Sequence, residues 1–436
     1  MVRLFGFFIC AFLLLVASLS CDSTEPPAIV PPPDIIKDTI TVSIESFTHR
    51  SVTLRVLSTV HSLQSSIKVL RSFNNTETII AEYPLEVIDT TITDDDNGIG
   101  LMLDTTYTYF AIRVDSLGEE KDTSNIVTQK TLAPTSHDYT WQEYTFGDAG
   151  YPNTLYDVWG TDENNVWVVG GMEINGIFYG GLHWDGIQWN PDSTVGGSVI
   201  FGFSSNDIWV AGGGIFYYDG AKWNGIEDTD EILHDNVPYT SLWGTSSSDM
   251  YFGNAWGKII HWDGVKAEDM GIDAFAQIVD IWGFGDHEIY AVAGAGLVGG
   301  GQLFHFDGLS WELIADINNN IGQIDFKGNF LTVWGYEENE VFLLGSYLYK
   351  KLRDVWSEVG PFGGIYLKLR GNQSNNIFCV GLGGLCKHFN GVEWKDISNF
   401  ENIENALRGI FMINNQVFIV GENFNQAIIF QGVTTN

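Results

Sequence analysis

The chain has 436 residues, a length that suits two or three domains. Its formal charge of −34 repels phosphate backbones and anionic lipid, which argues against nucleic acid as a partner. Only 17% of the residues are charged and 14% are aromatic, a folded composition that excludes an acidic disordered chain.

Arg3 precedes an apolar run from Leu4 to Val16, and Ala17-Ser18-Leu19-Ser20 then leads to Cys21. A run this short, followed by small residues, reads as a secretory signal over 1–20 and not as a membrane span. The cysteine at that junction resembles the lipobox of bacterial lipoproteins, although Ser18 stands where that family usually has Leu. The resemblance implies that Cys21 carries lipid and is the only membrane contact. Plain secretion with a leftover thiol is the alternative. Residues 21–36 hold five of the eleven prolines and read as a stiff, extended spacer.

Residues 37–133 alternate in short runs: TITVSIESF, SVTLRVLS, SIKVLRSF, TETIIAEY, VIDTTITD, TYTYFAIRVDS and SNIVTQKTL. Seven short strands with turn signals between them predict a β-sandwich. Leu101, Thr105 and Tyr107, spaced as in a tyrosine corner, resemble the end of a fibronectin type III domain. Val56 stands where that family has its Trp. The acidic TDDDNG at 93–98 lacks the alternating ligands of a calcium loop and reads as a solvated hairpin turn.

All fifteen tryptophans lie after residue 140, and from there a unit recurs. An apolar strand ends in Trp-Gly or a variant, as in VWG at 158–160. A polar turn follows, and then a second strand ending in Gly. A third strand runs into Asp-Gly, Asn-Gly or Gln-Gly, and a fourth opens at the next Trp. Glycines at 160, 202, 244, 283, 335, 371 and 409 repeat about every 41 residues, a period with four short strands that signals a propeller blade. Asp-Gly is expected to supply the positive φ of a two-residue turn. The seventh unit stops after three strands, and YTWQEYTFG at 139–147 reads as the strand that completes it and closes the ring. The expected fold is therefore all-β: an immunoglobulin- or fibronectin type III-like sandwich over 37–133, then a seven-bladed β-propeller over 138–436. The repeat resembles kelch, BNR and WD-like bacterial propellers, and most of all the repeat-containing surface lipoproteins of Bacteroidetes-type bacteria. It carries no Asp-box and no full kelch signature.

In such a blade the 1–2 and 3–4 turns share one face of the disc, and the 2–3 turns and blade connections share the other. The first set is uniform here and reads as framework. The second varies, which makes it the face free to specialise. Phe178, Tyr179, His234, Tyr239, Trp256 and Asn319 on that face are the candidate ligand contacts, because rings with amides nearby suit a sugar or a peptide. Phe178, Tyr179 and Trp256 have the alternative of packing their own loops. The acidic loop Glu227, Asp228, Asp230 and Glu231 reads as a solvated charge run, with calcium as the minor alternative, and no other cofactor is expected. His183, His261, His305 and His388 recur in H-x-[DN]-G, with Tyr217 in the same place, and are expected to make a structural hydrogen bond within each blade and not a metal site. Cys379 and Cys386, in CVGLGGLC, would face each other across a two-residue turn at Leu382-Gly383, about 5.5 Å apart at Cα. A disulfide and two buried free thiols are the alternatives. No G-x-S-x-G, H-E-x-x-H or phosphate loop is present, and no catalytic residue is assigned.

These readings combine into a monomeric, non-enzymatic recognition or scaffold protein of the cell envelope, lipid-anchored at the outer membrane or cell surface. Its expected partner is a glycan or another envelope protein. The alternative is a polysaccharide-degrading glycosidase or lyase on the same fold, because fold alone does not fix activity.

Overall fold

The computed structural model describes residues 39–59, 65–84, 88–226, 237–294 and 300–434. The signal, Cys21, the Pro-rich spacer and the acidic loop with His234 lie outside the described residues.

Residues 40–130 form two antiparallel sheets. Ile40–Phe47, Val52–Ser58 and Ile88–Asp94 make one. Thr76–Pro84, Ser65–Phe73, Thr106–Asp115 and Glu120–Thr123 make the other, with Val127–Lys130 also on Thr106–Asp115. Alternation points Val42, Leu54 and Val56 from one sheet and Ile67, Val69, Tyr109 and Ala111 from the other into a shared core. The Tyr107 hydroxyl accepts the Met102 backbone N–H at 3.0 Å. The acidic turn at 93–98 differs from its solvated reading. Asp94 and Asp95 are buried: Asp94 is held by Arg71 at 3.0 Å and by the Tyr109 hydroxyl at 2.9 Å, and Asp95 is held by Arg353 of the second region.

From residue 139 onward there are seven four-stranded antiparallel sheets among the described residues. Six are sequential, over 154–192, 199–225, 239–269, 278–316, 330–361 and 366–396. The seventh combines Ala406–Ile413, Gln416–Asn423 and Gln426–Thr434 with Tyr139–Phe146, which pairs antiparallel with Gln426–Thr434. The first strand of each sheet packs on the first strand of the next, and Ala406–Ile413 packs on Thr154–Asp162, so the sheets close into a ring.

The Trp-Gly pair is an interlock between neighbouring sheets. A Cβ at Gly202 would lie 2.7 Å from the Trp159 ring, at Gly283 2.6 Å from Trp243, and at Gly371 2.8 Å from Trp334. Each tryptophan thus rests on the glycine of the following sheet. Pairing register moves the seventh member of the glycine series. Gly409 sits opposite Val420, and the residue equivalent to Gly160, opposite the first apolar residue of the second strand, is Met412 opposite Val417.

Four of the seven sheets carry the expected histidine bond. The Nε2 groups of His183, His261, His305 and His388 donate to Asn165, Asp249, Glu288 and Asn376 at 2.7–2.9 Å. Each imidazole also lies 4.1–4.8 Å from an aromatic ring of the second strand: Trp167, Tyr251, Tyr290 or Phe378. The Asp-Gly turns hold four residues and not two, since Trp184 pairs with Trp189. Gly186 has φ 88°, and the Asp185 carboxylate accepts the N–H groups of Ile187 and Gln188. The same backbone donors hold Asp185, Asp219, Asp263 and Asp307 below the usual carboxylate range.

Cys379 and Cys386 are buried free thiols. Cys386 sits opposite Val380, and Cys379 sits opposite Lys387. Their side chains enter different cores on the two faces of the sheet, so the disulfide alternative fails on direction. Burial pushes both thiols well up.

Candidate functional site

The tryptophans that interlock the sheets also line the axis. Trp159, Phe201, Trp243, Trp282, Trp334, Arg370 and Phe411 occupy one equivalent position in the seven first strands, just before the 1–2 turn. Together they surround an axial cavity of about 170 Å³. Arg370 is the one non-aromatic member, and its guanidinium lies 5.0 Å over the Trp282 ring. In the next sheet Met412 replaces the glycine on which an aromatic ring would have rested.

One layer deeper, two residues earlier in the first strands, stand the polar side chains of Asp157, Ser241, Asp280, Thr332 and Lys368. Asp280 is buried and accepts from Arg370 at 2.6 and 3.0 Å, from Lys368 at 3.2 Å, from the Thr332 hydroxyl at 2.7 Å and from the Val333 N–H at 3.1 Å. Burial pushes its carboxyl up, but the charges of Arg370 and Lys368 outweigh that and hold it at about 2. On the other side Asp157 is buried and accepts the Ile200 N–H at 3.2 Å, and burial pushes its carboxyl up. The axial floor therefore carries two carboxylates and two cations.

The amino-terminal two-sheet region docks on the face of the 1–2 and 3–4 turns. The His49 backbone N–H and Nδ1 contact the Ser374 hydroxyl at 3.2 and 3.0 Å, and the Ser51 hydroxyl donates to Glu337 at 3.3 Å. Thr135 in the linker bonds Asn375 and Asn390, and His137 Nδ1 lies 2.9 Å from His388 Nδ1. Two further cavities lie along this junction. One, of about 480 Å³, runs from Trp282 past Tyr336 to Glu337 and Asn339 under Ser46 and Thr53. The next, of about 300 Å³, continues from Glu337 and Asn339 to Arg50, Asp95, Arg353 and Phe389. Trp282 is common to the first two cavities, and Glu337 and Asn339 are common to the last two, so the three lie side by side from the axis outward as a segmented groove. Burial, with Glu340 beside it, pushes Glu337 up to about 7, and burial brings His49 down to about 4.

No family model matches the chain, and no curated protein matches it. Solved structures do. The structure titled YCF48 bound to D1 peptide is similar over 69% of this chain and all of that one, at 16% identity and TM-score 0.52. The WD40 β-propeller domain of Doa1 (12% identity, 68% and 97% coverage, TM-score 0.47) and the Neurospora crassa Pan2 WD40 domain (9%, 68% and 96%, 0.47) are also similar. The ring of four-stranded sheets is a β-propeller fold.

The candidate contacts read from the sequence are not brought together in the propeller. Phe178 (67% exposed) is on the first blade and Trp256 (63% exposed) is on the third. Tyr179 is partly buried opposite Met172. The Asn319 amide is bound to Asp316 at 2.9 Å, which holds its own loop. Tyr239 is 3% exposed and packs edge-on against Phe252, so it is a core residue and cannot present itself to a ligand. The groove lies on the opposite face, among residues read as framework. Its signal was present in the sequence, because Arg370 breaks a column of aromatics.

Proposed function

We propose that this chain is a non-enzymatic recognition scaffold whose seven-bladed propeller binds an extended peptide segment of another envelope protein. A fibronectin type III-like sandwich forms one wall of the site, and a lipid on Cys21 holds the molecule at the cell surface. The observation that carries this reading is the alignment of the segmented groove: Trp282 lines the first and second cavities, and Glu337 and Asn339 line the second and third. A groove of this form suits an extended chain better than a compact small molecule. Aromatic faces at the axis suit apolar or cationic side chains, and the net charge of −34 favours a basic segment. The similar structure named above holds a peptide on the same fold.

A peptide array probed with the full chain tests the reading. Tyr336 lines the groove and is 42% exposed, so Tyr336→Ala removes a contact without opening the core. Retained peptides should lose at least tenfold in affinity with Tyr336→Ala and be unaffected by Phe178→Ala with Trp256→Ala. The reverse pattern would move recognition to the variable-loop face. Release of reducing ends from polysaccharide would replace the scaffold reading with an enzymatic one.

A further inference from the structure

Three exposed rings stand close together on the variable-loop face, where the seventh blade meets the first. Tyr151, in the connection from the closing strand to the first blade, is 50% exposed. Phe178, beside the 2–3 turn of the first blade, and Phe424, in the 2–3 turn of the seventh, are exposed further. One fully buried amide, Asn153, ties their segments together. Its Nδ2 donates to the Tyr151 carbonyl at 3.0 Å and to the carbonyl of Asn425, next to Phe424, at 2.7 Å. Its Oδ1 accepts the N–H of Glu173 at 2.8 Å, and Glu173 sits directly opposite Phe178. The Asp148 carboxylate adds a bond to the Gly176 N–H at 2.9 Å. The rings therefore rise from one fixed platform.

Phe424 is held there against its backbone preference. Asn423 pairs with Gln426, so Phe424-Asn425 is a two-residue turn, with φ of 48° and 64°. Such a turn favours Asn, Asp or Gly. The neighbouring hairpin follows that rule, since Asn175-Gly176 links the paired Ile174 and Ile177 at 54° and 74°. A phenylalanine at positive φ is strained, and an exposed ring gains no burial in return. The Phe424 N–H is fixed on the Asn405 side chain at 2.9 Å. Around the rings, segments 147–153, 171–178, 401–407 and 421–426 contain Asp148, Glu173, Glu401, Glu404 and Glu422 but no lysine or arginine. Arg408, just beyond, is taken up by both oxygens of Glu422 at 2.7 and 2.8 Å. The patch is thus apolar at its centre and acidic at its rim.

We propose that these rings form a docking knob for a folded partner protein that offers apolar pockets within a basic rim. The rings stand out from the surface, so the pockets that desolvate them come from the partner. Anchors fixed before contact lose little freedom on binding, which is what the Asn153 platform provides. The acidic rim selects a basic surface. A second copy of this chain would bring the same acidic rim on a molecule of charge −34, and an anionic membrane repels it likewise. The turn keeps a strained Phe424 because its ring serves contact and not folding. The knob lies on the face opposite the groove, so it does not depend on the peptide reading.

Cross-linking tests the knob, with the full chain made in its own cells and carrying a photoreactive phenylalanine analogue in place of Phe178 or Phe424. The same analogue at Leu309, 90% exposed in a 3–4 turn of the opposite face, is the control. One protein should cross-link from both positions and not from Leu309. Purified, it should bind the wild-type chain and bind more weakly as salt rises. Phe178→Ala and Phe424→Asn should each lower its affinity by about tenfold or more. Phe424→Asn also relieves the turn, so its Tm should equal or exceed that of the wild type. A lower Tm would show that the ring serves the fold, and would overturn the proposal. So would cross-links to lipid, to glycan or to a second copy, no cross-link above the control, or full affinity in both variants.

Discussion

Trp159 and Gly202 show how single residues set this molecule. The ring tip of one blade occupies the space where the next blade would carry a Cβ, 2.7 Å away, and the Asp207 carbonyl lies 2.8 Å from the same point. Gly202→Ala forces the ring off its seat or bends the strand, and overpacking of this kind costs about 1–3 kcal/mol. Thermal melting should show a lower Tm for Gly202→Ala, and an unchanged Tm would mean that the interlock is slack. Ala at Gly196, where no atom lies within 4 Å of the added Cβ, is the matched control. The Trp-Gly phrase was legible in the sequence, and so was its framework role. That the same tryptophans wall the axial cavity was not, because a repeat reads as scaffold until its inward direction is known. Two slips have the same origin. Gly409 continues the glycine series of the sequence, but it pairs with Val420 as Asp157 pairs with Val169, so it lies in the deeper axial layer and Met412 stands at the interlocking place. Cys379 and Cys386 were placed face to face, but the longer turn moves their pairing by one residue and sends them to opposite faces.

At the scale of the element, Tyr139–Phe146 is the strand with the most consequence for its length. It supplies the outer edge of the seventh sheet, its Trp141 packs edge-on against Phe400 at 4.8 Å, and its Tyr144 reaches the first blade's Trp184 and Trp189. Deleting 138–147 exposes the backbone of Gln426–Thr434 as an unpaired edge and uncovers two aromatic clusters. The truncated chain should melt well below the full chain and aggregate on heating; equal melting would show that the ring closes without this strand. The third strands were only partly legible. Five end in aromatics and a Gly- or Asn-marked turn, but YLYKKLRDVW has no Asp-Gly, and Arg353 takes the positive φ of 54° there. That missing marker hid Arg353, whose guanidinium holds Asp95 across the junction.

At the scale of the whole molecule, the face of uniform turns is the one that receives the two amino-terminal sheets. The reason is physical: short turns bring Ser374 to His49 of the amino-terminal region, and Asn375 and Asn390 to Thr135 of the linker, by direct hydrogen bonds. The variability of the opposite loops was readable, but a docking partner elsewhere in the same chain was not, because it depends on complementarity between distant segments. The junction contains two titratable groups with opposed effects. Glu337 has its carboxyl raised to about 7, so its contribution to docking is full below the ordinary value near 4.5 and is lost as pH rises through 7. His49 is lowered to about 4, so its contribution is full above 6.5 and is lost as pH falls toward 4. Between about 4.5 and 6.5 the two slopes oppose each other, and docking in the wild type should vary little with pH. Glu337→Gln removes one slope, and protection of the linker from protease should then rise with pH across that interval. A variant profile as flat as the wild type would refute the opposition.

The linker enters the ring at its clasp, and this has a mechanical consequence. Within the ring itself, a pull from the amino-terminal side would peel the closing strand one hydrogen-bonded pair at a time, beginning where Tyr139 faces Thr434. The grip of His49 on Ser374, of Asp95 on Arg353 and of His137 on His388 lies upstream of that point. These contacts divert tension into blades five and six, so the junction acts as a strain relief for the seam of the ring.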